Sequence, residues 1–337
     1  MITLPKIGIR LHGGMTAKRC VEFAKAAEAT GFASVWFAEN AFARGILPAA
    51  AACAAATERL QISAGVFNPF SRHPVMMAME VGALDELSNG RVALAIGSGI
   101  ASATAKLGIN PEKPLVATRD TLTIVRGLLR GDEVEHAGAA FSAHKVKLEY
   151  APRPDIPVFL AGRGSLTVKL AGEAADGLII SNMCSVAFAA QLASLMRASR
   201  GACGREGPGG VVQYMPCAVH TDRAVALDIA KRAVGDMVPG FWALGQKQSL
   251  AKDALLAGTG IREAEFAAAA AAIRAGGDPV RILDERYVAA FALAGTPAEC
   301  LAAAEKYGQA GVTELALTFS GPTALQDMHL LAGAFKR

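Results

Sequence analysis

Residues 157–181 read PVFLAGRGSLTVKLAGEAADGLIIS. Val158–Ala161 is apolar at every position, as a strand covered on both faces must be. The chain then passes through Gly162-Arg163-Gly164-Ser165 into Leu166–Ala175, whose apolar residues recur at helical spacing. Asp176-Gly177 breaks that helix, and Leu178–Ser181 is again short and apolar. Two strands joined through one helix are parallel, and the crossover between them is right-handed.

The same unit repeats in both directions. Upstream, the strands are Ile7–Leu11, Ser34–Ala38, Leu60–Phe67 and Val92–Gly97; their helices are Ala17–Thr30, closed by Gly31, then Leu47–Thr57, Pro74–Leu87 and, after a long loop, Leu115–Leu129. Downstream, Val186–Ser199 is a helix, followed by strand Val211–Val219, helix Asp222–Val234, strand Val312–Phe319 and a last helix over Ala324–Phe335. Eight strand–helix units without a break in composition predict a single closed (β/α)8 TIM barrel spanning residues 1–337. A doubly wound sheet would carry GxGxxG after its first strand, where this chain has His12-Gly13-Gly14-Met15-Thr16. Two stretches exceed the minimal unit: a β-hairpin insertion at 131–150, before strand five, and a mostly helical insertion at 240–287, after strand seven.

Composition narrows the function. Of the 337 residues, 52% are hydrophobic and 19% charged, enough for one large core; the net charge of +4 is scattered, which argues against nucleic acid as a partner. The cysteines (Cys20, Cys53, Cys184, Cys203, Cys217, Cys300) form no CxxC pair and read as buried small residues in a reducing compartment. The start, MITLPKIGIRL, has no signal-peptide pattern, and the apolar runs at 48–56 and 266–273 fall far short of the ~20 residues a membrane span needs. A cytoplasmic enzyme is expected, with no membrane partner. No HExxH, P-loop, GxSxG or carboxylate–histidine set stands at metal spacing, so no metal site is expected.

Four strand ends could carry chemistry. At Gly162-Arg163-Gly164-Ser165 the glycines allow backbone N–H groups to approach a ligand, the helix N-terminus favours an anion, and Ser165 either caps the helix or bonds a phosphate oxygen. A plain turn with a serine cap is the simpler alternative. At Gly65-Val66-Phe67-Asn68-Pro69, a glycine inside a core strand signals close approach or unusual backbone; Arg72 and His73 beyond it read as helix anchors. Glu39 and Asn40 end strand two, where a barrel points polar groups into its site. Gly97-Ser98-Gly99-Ile100 ends strand four, a weak signal on its own.

Read in order, GFASVWFAEN (31–40), GVFNPFSRHP (65–74), LDELSNGRVALAIGSG (84–99) and PVFLAGRGSLTVKLAGEAADGLIIS resemble the luciferase-like superfamily. YVAAFALAGTP (287–297) with AGVTEL (310–315) is similar to its deazaflavin-dependent methylenetetrahydromethanopterin reductase branch. The resemblance spans Ile7 to Pro322. It implies hydride transfer between coenzyme F420, or alternatively FMN, and a small-molecule substrate. It places the coenzyme phosphate on Gly162, Arg163, Gly164 and Ser165, and a non-proline cis peptide at Gly65–Val66 behind the ring. Glu39, Asn40, Asn68, Ser98, Gly99 and Ile100 would lie around that ring, with Glu39 orienting Asn40 or a water. A homodimer is the assembly implied. Three positions depart from the pattern: Asn40 where a histidine is common, Arg10 where strand one commonly has Glu, and Ile100 where Asp or Glu is usual. Two rivals follow, an FMN-dependent monooxygenase and a flavin-binding protein without turnover.

Overall fold

The computed structural model describes residues 4–335. Its strands, in chain order, are β1 (Lys6–His12), β2 (Ser34–Ala38), β3 (Gln61–Phe67), β4 (Val92–Ile96), β5 (Val134–Ala137), β6 (Ser142–Val146), β7 (Val158–Ala161), β8 (Gly177–Ile180), β9 (Gly210–Val219), β10 (Leu293–Gly295) and β11 (Glu314–Phe319). All pairings in the large sheet are parallel, and β9 pairs with β8 as well as β11 while β11 pairs with β1. The ring β1-β2-β3-β4-β7-β8-β9-β11 therefore closes on itself, a TIM barrel as expected.

The helices form for reasons written in the sequence. Thr16 accepts from Arg19 N to cap Ala17–Thr30, and Gly31, at φ 89°, ends it by donating to the Ala27 and Glu28 carbonyls. Pro74 opens Pro74–Leu87, with His73 accepting from Val75 N.

Two additions interrupt the minimal barrel. The antiparallel hairpin β5–β6 precedes β7 and is tied to helix Pro114–Leu129 by Asp120, whose carboxylate accepts from Ala140 N (2.8 Å) and Phe141 N (3.1 Å). The second addition is a run of helices from Val238–Gly245 to Glu285–Phe291 with its own core, in which the Phe266 ring lies 5.3 Å from Trp242 and 5.4 Å from Tyr287. Three elements go beyond expectation. The loop after β4 contains a short helix, Ala101–Lys106; β10 adds a three-residue strand to the outer end of β9; and Pro297–Gln309 is a helix with a Thr296/Glu299 capping box. A three-residue strand is too short to show alternation.

Inside the barrel, alternate residues fill the space in layers. Trp36, Ala95, Ile179, Val212, Tyr214 and Ala316 form one buried cluster, with Trp36 set edge-on to Phe159 at 5.1 Å. Phe159 fits because its neighbours lack side chains: a Cβ on Gly177 would stand 2.4 Å from its ring, and one on Gly210, 2.7 Å. Toward the amino ends, Glu314 is buried and accepts from Ser34 Oγ and from Trp36 Nε1 (2.7 Å).

Burial pushes the Glu314 carboxyl above its usual range, against the pull of its two donors. A carboxyl raised in the folded state stabilises the fold below its unfolded pKa of about 4.3, and that contribution is lost as pH rises. Glu314→Gln retains an acceptor for both donors and cannot ionise. Its melting temperature relative to the parent should therefore rise between about pH 4 and about pH 8; calorimetry showing the parent gaining over that range would mean that the ionised form is the stabilised one.

Candidate functional site

The carboxyl ends of the eight strands share one rim, so the loops after β1, β2, β3, β4, β7 and β8 converge there. The helix after β7, Ser165–Ala174, starts with Gly164 as its N-cap (φ −67°, ψ 137°), and no side chain caps it. Ser165 therefore does not cap the helix: it is exposed at the first helical position, because Gly164 already occupies the N-cap. The first-turn N–H groups are left without a side-chain partner at the rim. Gly162 packs on Thr167, where a Cβ would stand 2.7 Å from Cγ2, while a Cβ on Gly164 would meet nothing nearer than Thr167 Oγ1 at 4.0 Å.

Arg163 is held across to the next strand. Its Nε and Nη2 donate to Ser181 Oγ (3.0 and 2.7 Å) and Nη2 also donates to the Asn182 carbonyl (2.5 Å). Phe241, from the helical addition, lies under the guanidinium at 4.9 Å. Its Nη1 and the Asn182 Oδ1 are buried without a hydrogen-bond partner among the described residues. A cation pinned beside an uncapped helix N-terminus, with one donor free, is chemistry suited to an anion.

At the end of β3 the Gly65–Val66 peptide is cis. Gly65 has φ 128° and lies so close to β4 that a Cβ would stand 2.2 Å from the Ala95 carbonyl oxygen. Val66 packs against the interior cluster. Asn68 is spent on the loop: its Oδ1 accepts from Phe70 N (3.0 Å) and its Nδ2 donates to Thr104 Oγ1 (3.0 Å). Gly99, at φ 69°, lies against Asn68; Ser98 is half-buried, and Ile100 is 72% exposed. The hairpin reaches this corner through Phe141, 5.7 Å from the His73 ring and 6.0 Å from Phe70.

Glu39 pairs with Arg72 and not with Asn40, one of the two partners expected for it. Arg72 Nη2 donates to Glu39 Oε1 at 3.3 Å and Nη1 pairs with Glu80, while the guanidinium lies 4.5 Å from the Phe67 ring centre. Asn40 is exposed. Burial raises the Glu39 carboxyl above its ordinary range; Arg72 pulls the other way, and Glu80 adds to the rise. Arg72 thus anchors β3 and its helix to the end of β2, the structural role that its place in the sequence suggested.

Several residues escape the sequence reading: Ser181, Asn182, Phe241 and His12 near the rim, and Tyr214 and Thr318 on inward strand faces. Strand alternation places Arg10 and His12, Tyr214, and Thr318 on inward faces, so counting in twos along β1, β9 and β11 could have found them. Phe241 had no such signal. A cavity of about 240 Å³ lies beside the end of β1, lined by His12, Met15, Phe37, Arg44 and Ile46. Among the described residues, no cluster of three or more His, Cys, Asp or Glu side chains could hold a metal ion.

A family model described as luciferase-like monooxygenase matches residues 1–314. The chain is 28% identical over 328 residues to the 5,10-methylenetetrahydromethanopterin reductase of Archaeoglobus fulgidus, covering 97% of both chains. Among solved structures, the coenzyme F420 dependent tetrahydromethanopterin reductase from Methanopyrus kandleri superposes with a TM-score of 0.84 at 22% identity, over 98% of this chain and 97% of that one. The monooxygenase RslO1 from Streptomyces bottropensis gives 0.73 at 21% identity, over 98% of each chain. These two likenesses bear on the fold.

The Arg72 arrangement makes its own prediction. Arg72→Met leaves Glu39 and Glu80 sharing a half-buried corner with no cation between them. Stability at neutral pH should fall by about 2 kcal/mol, and the loss should shrink at acid pH, where Glu39, already raised by burial, takes up a proton. Chemical denaturation at the two pH values measures this, and a loss independent of pH would assign Arg72 to packing alone.

Proposed function

The chain belongs to the luciferase-like monooxygenase family, a family of flavin- and F420-dependent oxidoreductases, and on that premise we propose that it moves a hydride between coenzyme F420 and a small organic substrate. The observation that carries this reading is the β7 turn: an uncapped helix N-terminus, the open space in front of Gly164, and a pinned Arg163 with Nη1 buried and unpartnered. These fit a phosphate, the group by which a flavin or deazaflavin cofactor is most readily held. Gly162, Arg163, Gly164 and Ser165 would hold it. Gly65, Val66, Asn68, Ser98 and Gly99 would lie along the tricyclic ring, with Glu39 and Asn40 at its reactive edge. When bound, the cofactor supplies the hydride chemistry. The chain supplies placement, and good placement alone lowers a barrier by several kcal/mol.

F420 is favoured over FMN by the near full-length similarity to a methylenetetrahydromethanopterin reductase, an enzyme whose counterpart from Methanopyrus kandleri is described as coenzyme F420 dependent. Methylenetetrahydromethanopterin itself is disfavoured as substrate, since Arg10, Asn40 and Ile100 stand where acidic or histidine groups would serve a pterin. Glu39 is tied to Arg72, which suits a positioning role better than proton donation. We further propose one functional domain over the whole chain and a cytoplasmic homodimer. Exposed Met76, Met79 and Leu87 on helix Pro74–Leu87 support an assembly, and no described helix is long and apolar enough to cross a membrane.

Titration of the purified protein with F420 and with FMN, followed by their distinct absorbance bands, tests the reading. F420 should bind saturably. Gly164→Val should weaken it at least tenfold, about 1.4 kcal/mol, with the fold retained, because φ −67° suits valine and its Cβ would meet nothing nearer than 4.0 Å. Unchanged affinity in the variant would remove this site. FMN binding with F420 silent would select the monooxygenase reading.

A further inference from the structure

Arg10 is an arginine inside a barrel. It sits on β1 opposite Trp36 of β2, on the inward face shared by Gly8 and His12. Its Nη1 donates to Thr318 Oγ1 at 3.3 Å, and its guanidinium carbon lies 5.2 Å from the Tyr214 ring centre. Its Nε is buried without a partner, as is the Tyr214 hydroxyl. Among the described residues Arg10 makes no ion pair: Glu314, the buried carboxylate of β11, is taken by Ser34 and Trp36. Yet the residue as a whole is not completely buried.

A cation withdrawn from water without a counter-ion is costly, and the cost is relieved when an anion arrives. Burial depresses the Arg10 guanidinium below its ordinary value, but arginine starts so high that it stays charged. His12, the next inward residue, brings no negative charge: its Nδ1 accepts from Gly14 N (3.1 Å), and burial together with Arg10 lowers its pKa, which keeps the ring neutral at physiological pH. The nearby hydroxyls of Tyr214 and Thr318 can both donate. This is a donor-rich cluster around a planar fork, the complement of a carboxylate.

Its place in the ring is the second observation. β1 and β7 stand four positions apart in a closed ring of eight, so Arg10 and Arg163 lie on opposite walls of the mouth. Arg163 is the end proposed above for the cofactor phosphate, which leaves the Arg10 end for the reacting partner.

We propose that Arg10, with the hydroxyls of Thr318 and Tyr214, forms a carboxylate subsite, and that the substrate of this oxidoreductase is a small organic acid. This rests on the reading that the rim holds cofactor and substrate together, and it deepens that reading by naming the substrate class.

The test uses cofactor-free full-length protein, so that it stands apart from the F420 titration. Acetate, succinate and benzoate, each paired with its amide, and inorganic phosphate are titrated at constant ionic strength. Binding is followed by the fluorescence of Trp36, which lies edge-on to Tyr214 at 6.3 Å, in a Trp242→Phe background. At least one carboxylate should bind saturably and at least tenfold more tightly than its amide. Arg10→Met should lose that preference, Arg10→Lys should keep part of it, and Thr318→Val and Tyr214→Phe, which retain the cation, should each weaken it two- to tenfold. Should Arg10→Met fail to fold, the other three variants decide. Carboxylates no better than amides, or a preference indifferent to all these variants, overturns the subsite. So does anion binding that Gly164→Val abolishes and the Arg10 variants leave intact, since it then belongs to the Arg163 end. Carboxylate binding without F420 binding would keep the subsite and sink the F420 reading; the reverse result would do the opposite.

Discussion

Closure of the sheet is the constraint from which the rest follows. β1 hydrogen-bonds to β11 over Lys6–Ile9 and Glu314–Leu317, joining residues some three hundred positions apart. A closed parallel ring has no edge strand to protect, and it points every strand's carboxyl end the same way. The inside must then be filled by side chains alone. Ring-on-glycine packing at Phe159 and the Glu314–Ser34–Trp36 network meet that demand at the lower end. The upper end is left to polar residues, and there the candidate site lies.

The rim is electrostatically unusual. Its two inward-reaching cations, Arg10 and Arg163, occupy opposite walls and each retains a buried donor without a partner among the described residues. Carboxylates near the rim are already committed: Glu39 to Arg72, which also holds Glu80. Positive charge is therefore free where a ligand would lie, and negative charge is neutralised by the scaffold. In a low-dielectric cleft such an imbalance would favour the anionic ligands proposed above more strongly than the same groups would in water.

The two additions act on this rim from outside the barrel. Phe241 covers one face of the Arg163 guanidinium and so limits its swing and its access to water. Phe141 of the hairpin packs on His73 and Phe70 and steadies the loop that follows β3. Each supports a loop that the barrel alone would leave exposed, a common means of fixing a site built on strand ends.

The repeating unit and the place of the rim are local properties of the chain, legible without the fold. Apolar runs of strand length alternating with helical periodicity are local signals, and glycines at 65, 97, 99, 162 and 164 mark where backbone comes close to something. The positions of Glu39, Asn68 and Arg163 at strand ends were legible for the same reason. Their partners were not. Glu39 turning to Arg72, Asn68 spending its amide on Phe70 and Thr104, and Gly164 taking the cap that was one of two roles open to Ser165 are outcomes of packing, as is the short strand β10. Arg10 shows the divide most clearly. Alternation along β1 puts it on one of two faces, but only closure against β11 makes that face an interior and brings Thr318 to its guanidinium, 308 residues away in sequence. Local periodicity chooses a face; long-range pairing decides what the face meets.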